Sequence, residues 1–202
     1  AAIAFAEALP AKFNLAVVSM SGSPAVRLPP TLDRVQARQA ISTMKVQDST
    51  AIGESIYTAI SALQMAPLGE DGSIAPGAIV LLSDGQNTAG RSPLQAANDA
   101  NKQKVPIYTI AYGTENGYVD LDGKREKVPP DTALLRNIAQ LTGGDSYEAE
   151  SLPELERVYS NIRSEVGMVP VKKETTALWA GYGLAFAVVA ALAAVSLGAR
   201  WP

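Results

Sequence analysis

One carboxylate stands out by its position. The stretch Gly77-Ala-Ile-Val-Leu-Leu-Ser-Asp-Gly-Gln-Asn87 holds a short apolar run, Ala78 to Leu82, that ends in Ser83-Asp84-Gly85. The run shows no polar alternation, so it reads as a strand buried on both faces, central in a parallel sheet. Open α/β sheets bind ligands beyond the carboxyl ends of their strands. Asp84 is therefore the best-placed reactive group in the chain. On the strand alone, an ordinary turn at Asp84-Gly85 explains the same residues equally well.

The available chemistry is narrowed by what the composition lacks. The sequence contains no histidine and no cysteine. That removes the commonest general base, imidazole and thiolate metal ligands, and the cysteine nucleophile. A metal would have to be held through oxygen, which favours Mg²⁺, Mn²⁺ or Ca²⁺. No glycine-rich phosphate loop is present. No second carboxylate stands as a base beside Asp84, so a binding module is favoured over an enzyme, and a metal-dependent hydrolase ranks behind it. The net charge of −3 gives no basic stripe for nucleic acid.

The elements that would position Asp84 alternate along the chain. Ala1 to Leu9 reads as a helix stopped by Pro10, and Phe13 to Met20 as a strand broken by Ser21-Gly-Ser-Pro24. Ala25 to Leu28 is a short edge strand closed by Pro29-Pro30. Thr31 is a cap for a helix from Leu32 to Met44, with Val35, Ile41 and Met44 inward. A stronger helix runs from Ile52 to Met65, with Ile52, Ile56, Ile60 and Leu63 on one face. Ser92-Pro93 opens the next helix, and Val105 to Tyr112 is a strand. Tyr118 to Val128 forms a hairpin around Asp122-Gly123. Asp131 caps a helix ended by Gly143-Gly144. Ser146 to Ala149 is a short strand. A last amphipathic helix, Leu152 to Val166, turns Leu155, Val158, Tyr159 and Ile162 inward. The expected fold is α/β, a three-layer, mostly parallel, doubly wound sheet over residues 1–166.

The composition then changes. Residues 167–176 form a linker. From Ala177 to Ala199 no residue is charged, which is long enough for a transmembrane helix through about 30 Å of hydrocarbon. Trp179, Tyr182 and Trp201 suit the two interfaces. Lys172 and Lys173 before the span and Arg200 after it weigh toward a cytoplasmic domain, but long domains translocate regardless of charge. The side of the membrane stays open.

The element order, with Ser49-Thr50-Ala-Ile-Gly-Glu-Ser-Ile56 before a helix and Val80-Leu-Leu-Ser-Asp-Gly85 ending a strand, resembles the von Willebrand factor A domain. The Tyr-Gly-Thr…Gly-Tyr-Val region, Ala139-Gln-Leu-Thr-Gly-Gly144 and the terminal span look like bacterial membrane proteins of that type, the Bat-like aerotolerance group and a related uncharacterised family. The resemblance implies a metal-ion-dependent adhesion site holding Mg²⁺ or Mn²⁺, with Thr50 and Asp84 as ligands and Ser49, Ser83 and Gly85 beside them. It also implies a protein partner that offers a carboxylate, an anchor in the lipid bilayer, and residence in a bacterial cell membrane.

One departure bears on the site. The family's first motif, Asp-x-Ser-x-Ser, is absent. Ser19-Met-Ser-Gly-Ser23 has the serines, but Ser19 stands where the Asp belongs, and the preceding helix tail makes this the end of a second strand. The first strand and its motif are then expected upstream of Ala1, leaving neighbouring strands with unpaired edges and an apolar groove. Two ligands alone predict weak or absent metal binding. A scaffold with an inactive site is the alternative. Apart from the resemblance, Thr50 reads as a helix N-cap, and Asp48, Asp71 and Asp99 as solvated surface.

Overall fold

The computed structural model describes residues 1–44, 49–68, 72, 75–84, 86–113, 118–121, 124–127 and 130–167, with 118–121 and 124–127 described as backbone. Linker residues 168–176 and the apolar stretch 177–199 expected to cross a membrane lie outside these residues, as do Asp48, Asp71 and Gly85, while Gly167 ends the last helix. No helix among the described residues is long and apolar enough to cross a membrane.

The sheet that carries Asp84 is parallel, as expected. Strand β3 (Ile79–Ser83) pairs with β4 (Ile107–Tyr112), and β4 pairs with β7 (Ser146–Ala149). Register runs from Ile79 opposite Ile107 to Ser83 opposite Ala111. Helices α4 (Pro93–Lys102) and α5 (Thr132–Thr142) make the two crossovers. Together with α3 (Ile52–Leu63) they cover one face, where Ile52, Ile56, Ile60, Leu81, Ile107, Leu135 and Ile138 form the larger core. On the other face Ile110 and Ala149 meet Leu155, Val158, Tyr159 and Ile162 of α6 (Leu152–Gly167), with Phe5 of α1 (Ala2–Ala8) against them. All four residues assigned inward on α6 are buried. The caps follow the sequence signals. Ser92 and Asp131 accept backbone N–H bonds at the starts of α4 and α5, and Gly143 ends α5 at φ +76°.

Three local expectations are corrected. First, β3 is an edge of the described three-stranded sheet, and β4 is its centre. Its buried residues are Ile79, Leu81 and Ser83, while Leu82 is 36 % exposed. The apolar run is continuous, yet only the face packed against α3 and α4 is fully buried, and β4 is its one hydrogen-bonded neighbour among the described strands.

Second, the strand after Ser21-Gly-Ser-Pro24 is longer than expected. β2 (Ala25–Thr31) runs through Pro29 and Pro30 and pairs antiparallel with β1 (Leu15–Ser19) in a separate two-stranded sheet. Leu15 faces Thr31 and Val17 faces Leu28, so the register slips where the prolines sit. A bulge on an outer strand tolerates the missing N–H groups. No ladder joins β1 to β3 among the described strands.

Third, α2 (Arg34–Ser42) is capped by Asp33, not Thr31. Asp33 Oδ1 accepts the N–H groups of Val35 and Gln36 at 2.8 and 3.1 Å, and Thr31 Oγ1 accepts the Asp33 N–H. Ile41, expected inward, packs against the β1–β2 pair. Ala37 is buried against Val17 and Leu28, and Val35 and Met44 are exposed. A methyl group at the contact lets the helix lie close to the β1–β2 pair.

The hairpin forms as expected. β5 (Tyr118–Leu121) pairs antiparallel with β6 (Lys124–Lys127), with Leu121 opposite Lys124. The turn residues Asp122 and Gly123 lie outside the described residues.

Candidate functional site

Asp84 follows the last residue of β3 and is exposed. Ser83, immediately before it, is 1 % exposed, so its hydroxyl belongs to the interior of the sheet end. Thr50 and Ser49 are half-buried in the segment leading into α3. Side-chain and backbone bonds bring these two segments together.

The loop that leaves Asp84 is seated along residues 50–54. Thr88 Oγ1 accepts the Thr50 N–H at 2.9 Å and donates to the Thr50 carbonyl at 3.3 Å. The Thr88 and Ala89 N–H groups also donate to that carbonyl, at 2.8 and 3.3 Å. Asn87 Oδ1 accepts the Ile52 N–H at 2.8 Å. Two residues on, the Arg91 carbonyl sits so close to Gly53 that an added Cβ would lie 2.2 Å from its oxygen. Glu54 Oε1 then accepts both the backbone N–H and Nε of Arg91, at 3.1 and 2.7 Å.

This geometry corrects the helix-cap reading of Thr50. The residue flanking α3 is Ala51, which has no capping side chain. The first N–H of α3 is capped instead by Asn87, from across the chain. Thr50 gives both of its backbone groups to the neighbouring loop, and its hydroxyl does not cap the helix.

The loop after β1 reaches the same region. A Cβ built on Gly22 would lie 2.2 Å from Ser49 Oγ, so the Ser21-Gly-Ser23 loop passes against the Ser49 side chain, a contact that rotation of that hydroxyl would relieve. Ser21 is buried and its hydroxyl donates to the Ser23 carbonyl at 2.9 Å. The segments 21–23, 49–50 and 87–89 thus adjoin at this end of the molecule. Among the described residues, no group of three or more acidic, histidine or cysteine side chains could hold a metal. A hydroxyl-and-carboxylate donor set fits a hard cation such as Mg²⁺. With one carboxylate in it, the set fits a weakly held ion.

A charged network flanks the site and was not anticipated. Arg91 lies 3.8 Å above the Tyr57 ring and pairs with Glu54, while Tyr57 donates to Asp99 at 2.7 Å and Lys102 pairs with Asp99 at 2.7 Å. Asp99 therefore belongs to a network and is not simply solvated surface. The Arg91 side chain, aided by the Arg91 N–H, holds the Glu54 carboxyl below its usual range. Lys102, then Tyr57, does the same for Asp99. The bond to Asp99 pushes the Tyr57 hydroxyl up. Asn87 and Thr88 were also missed. The signal available for them was two hydrogen-bonding side chains placed directly after Ser83-Asp84-Gly85.

A family model for the von Willebrand factor type A domain matches residues 2–161. A UPF0353 protein of Mycobacterium bovis BCG is 36 % identical over 210 residues, a match that takes in 100 % of this chain and 63 % of that protein. The chain thus spans under two thirds of the length of the curated relatives it matches. An aerotolerance-related membrane protein of Bacteroides fragilis has a similar structure, with a TM-score of 0.66 at 17 % identity over 81 % of this chain and 84 % of that one. Proximal thread matrix protein 1 of the mussel byssus, with a zinc-occupied MIDAS motif, gives a TM-score of 0.56 at 22 % identity over 76 % of this chain and 34 % of that one.

Proposed function

The chain belongs to the von Willebrand factor type A domain family, and from that premise we propose that it is a membrane-anchored protein-interaction module. In this reading Asp84 and Thr50 are the chain's ligands to a divalent ion, Mg²⁺ or Mn²⁺. When bound, the ion supplies a Lewis acid with open positions for a carboxylate of the partner. The observation that carries the reading is the seating of the Asp84 loop on the Thr50 segment by Thr88 and Asn87. The mussel protein's occupied motif supports a metal on this fold. The membrane part rests on the uncharged stretch 177–199 and on the membrane-related description of the Bacteroides fragilis protein. The side of the bilayer on which the domain stands is open in this reading.

The chain's own residues divide the work. Asp84 provides the one charge, and Thr50 provides a neutral hydroxyl. A site with little protein charge leaves the ion electrophilic toward an incoming carboxylate. No residue is assigned a catalytic role, and the reading includes no turnover.

One observation favours a second reading, a scaffold whose site is inactive. The chain contains no Asp-x-Ser-x-Ser sequence. Affinity capture of partners from native membranes separates the two readings. Association that needs Mg²⁺ or Mn²⁺ and is lost on Asp84→Ala supports the metal-dependent module. Association that survives both chelation and Asp84→Ala makes the chain a scaffold.

A further inference from the structure

We propose that Asn87 and Thr88 are positioning residues that fix Thr50 relative to Asp84; the inference rests on the metal-site reading above. Neither residue needs to touch the ion. Thr88 engages the Thr50 backbone in both directions, accepting its N–H and donating to its carbonyl. The Thr88 N–H adds a second bond to that carbonyl at 2.8 Å. Asn87 satisfies the first N–H of α3, which no local side chain caps. Both residues lie three or four positions after Asp84, so the same short loop carries the carboxylate and grips the hydroxyl donor.

The grip leaves little slack. Between Asp84 and Asn87 the chain has two residues, Gly85 and Gln86. Beyond Thr88, the Arg91 carbonyl abuts Gly53 and Glu54 takes the Arg91 side chain. Loss of the Thr88 hydroxyl or the Asn87 amide would loosen the Thr50 segment against the Asp84 loop, leaving only the backbone bonds of Thr88 and Ala89 to the Thr50 carbonyl and the Arg91 contacts. Groups that orient ligands from behind typically change metal affinity by about 10- to 100-fold when removed. Neither residue belongs to the two positions the resemblance supplied as ligands, so the role follows from the bonds themselves.

The test uses the full chain in detergent micelles, isotope-labelled, with Mn²⁺ as the probe. Two readouts are taken, paramagnetic broadening of the Ser83 and Asp84 amides and hydrogen exchange at Thr50 and Ile52. Thr88→Val removes the hydroxyl at nearly constant shape, Asn87→Ala removes the cap, and Thr88→Ser restores the hydroxyl. The expected result is exchange at Thr50 accelerated at least about tenfold by Thr88→Val, and at Ile52 by Asn87→Ala. The Mn²⁺ concentration for half broadening should rise about tenfold or more in both, with Thr88→Ser returning both readouts. Thr142→Val, a buried change in α5, should lower thermal stability without moving the Mn²⁺ readout. Unchanged exchange and broadening in Thr88→Val and Asn87→Ala would overturn the proposal. So would a loss in Thr88→Val that Thr142→Val reproduces. If Thr88→Val fails to fold, Thr88→Ala against Thr88→Ser decides on the same two readouts. If the unmodified chain shows no broadening at all, the metal reading fails. The exchange data and the Asp84 amide shifts then stand alone, and unmoved Asp84 shifts overturn the positioning role.

Discussion

Gly53 lies where the loop after Asp84 meets α3, and its replacement tests whether that loop is truly seated. An alanine Cβ there would lie 2.2 Å from the Arg91 carbonyl oxygen, 2.9 Å from its carbon and 3.1 Å from the Ser92 carbonyl carbon. All three are backbone atoms, so no rotamer change relieves the contact. The loop must retreat by roughly 1 Å to regain van der Waals separation. Overpacking of this kind costs about 1–3 kcal/mol. Alanine recovers up to about 1 kcal/mol through its better helix propensity. The net expectation for Gly53→Ala is a loss of about 1–2 kcal/mol, or about 2–8 °C in Tm for a domain of this size. Gly77 is the matched control. Its added Cβ would meet only the tip of Leu63, at 2.8 Å for Cδ2, and a flexible side chain can move aside. Thermal unfolding followed by circular dichroism compares the two variants. A Gly53→Ala protein as stable as the unmodified chain would mean that the loop does not rest on α3, and the seating argument would fall with it.

Further expectations concern the scaffold. Thr142 Oγ1 accepts the buried Ile107 N–H at 3.0 Å and donates to the Ile138 carbonyl at 2.9 Å. Thr142→Val orphans that N–H and should cost about 1–3 kcal/mol, read by urea denaturation. Burial pushes the Tyr159 phenol up to about 12 from its ordinary value of 10. Its folded value is the raised one, so this contribution is complete below pH 10 and is lost as pH climbs from 10 toward 12. Tyr159→Phe should flatten that alkaline fall in Tm, and parallel curves for the two proteins would refute the assignment. The Glu54 carboxyl is held down by Arg91, so its contribution is present above the ordinary glutamate range and fades as acid protonates it. An Arg91→Gln chain should therefore show a shallower acid-side loss of stability than the unmodified chain between pH 5 and about 3.

The parts of the fold legible in the sequence were those set by local signals. Ser92-Pro93, Asp131 and Gly143 marked helix ends because capping is a matter of a few adjacent residues. The inward stripe of α6 followed from its spacing alone. What failed depended on partners distant in sequence. Val35 and Met44 seemed apolar enough to face inward, but Ala37 and Ile41 are the residues that meet β1 and β2, and Met44 lies past the helix end. The apolar run of β3 marked a strand of a parallel sheet, but its neighbours in the described sheet are decided by pairing that no single stretch encodes. The candidate site divides the same way. Asp84 was visible as a carboxylate at a strand end. The capping of α3 by Asn87, 35 residues away, was not, because a trans cap leaves no mark at the helix it serves. The Glu54–Arg91–Tyr57–Asp99 network likewise joins residues of two helices and a loop whose proximity only the fold creates.

The most direct test of the central claim is Mn²⁺ titration of the full chain, comparing amide broadening in the unmodified protein and in Asp84→Ala. The account predicts broadening confined to Thr50, Ser83, Asp84 and their neighbours, weak in affinity and abolished by Asp84→Ala. Broadening that is absent, or that persists unchanged in Asp84→Ala, would contradict it and leave the chain a scaffold without a metal site.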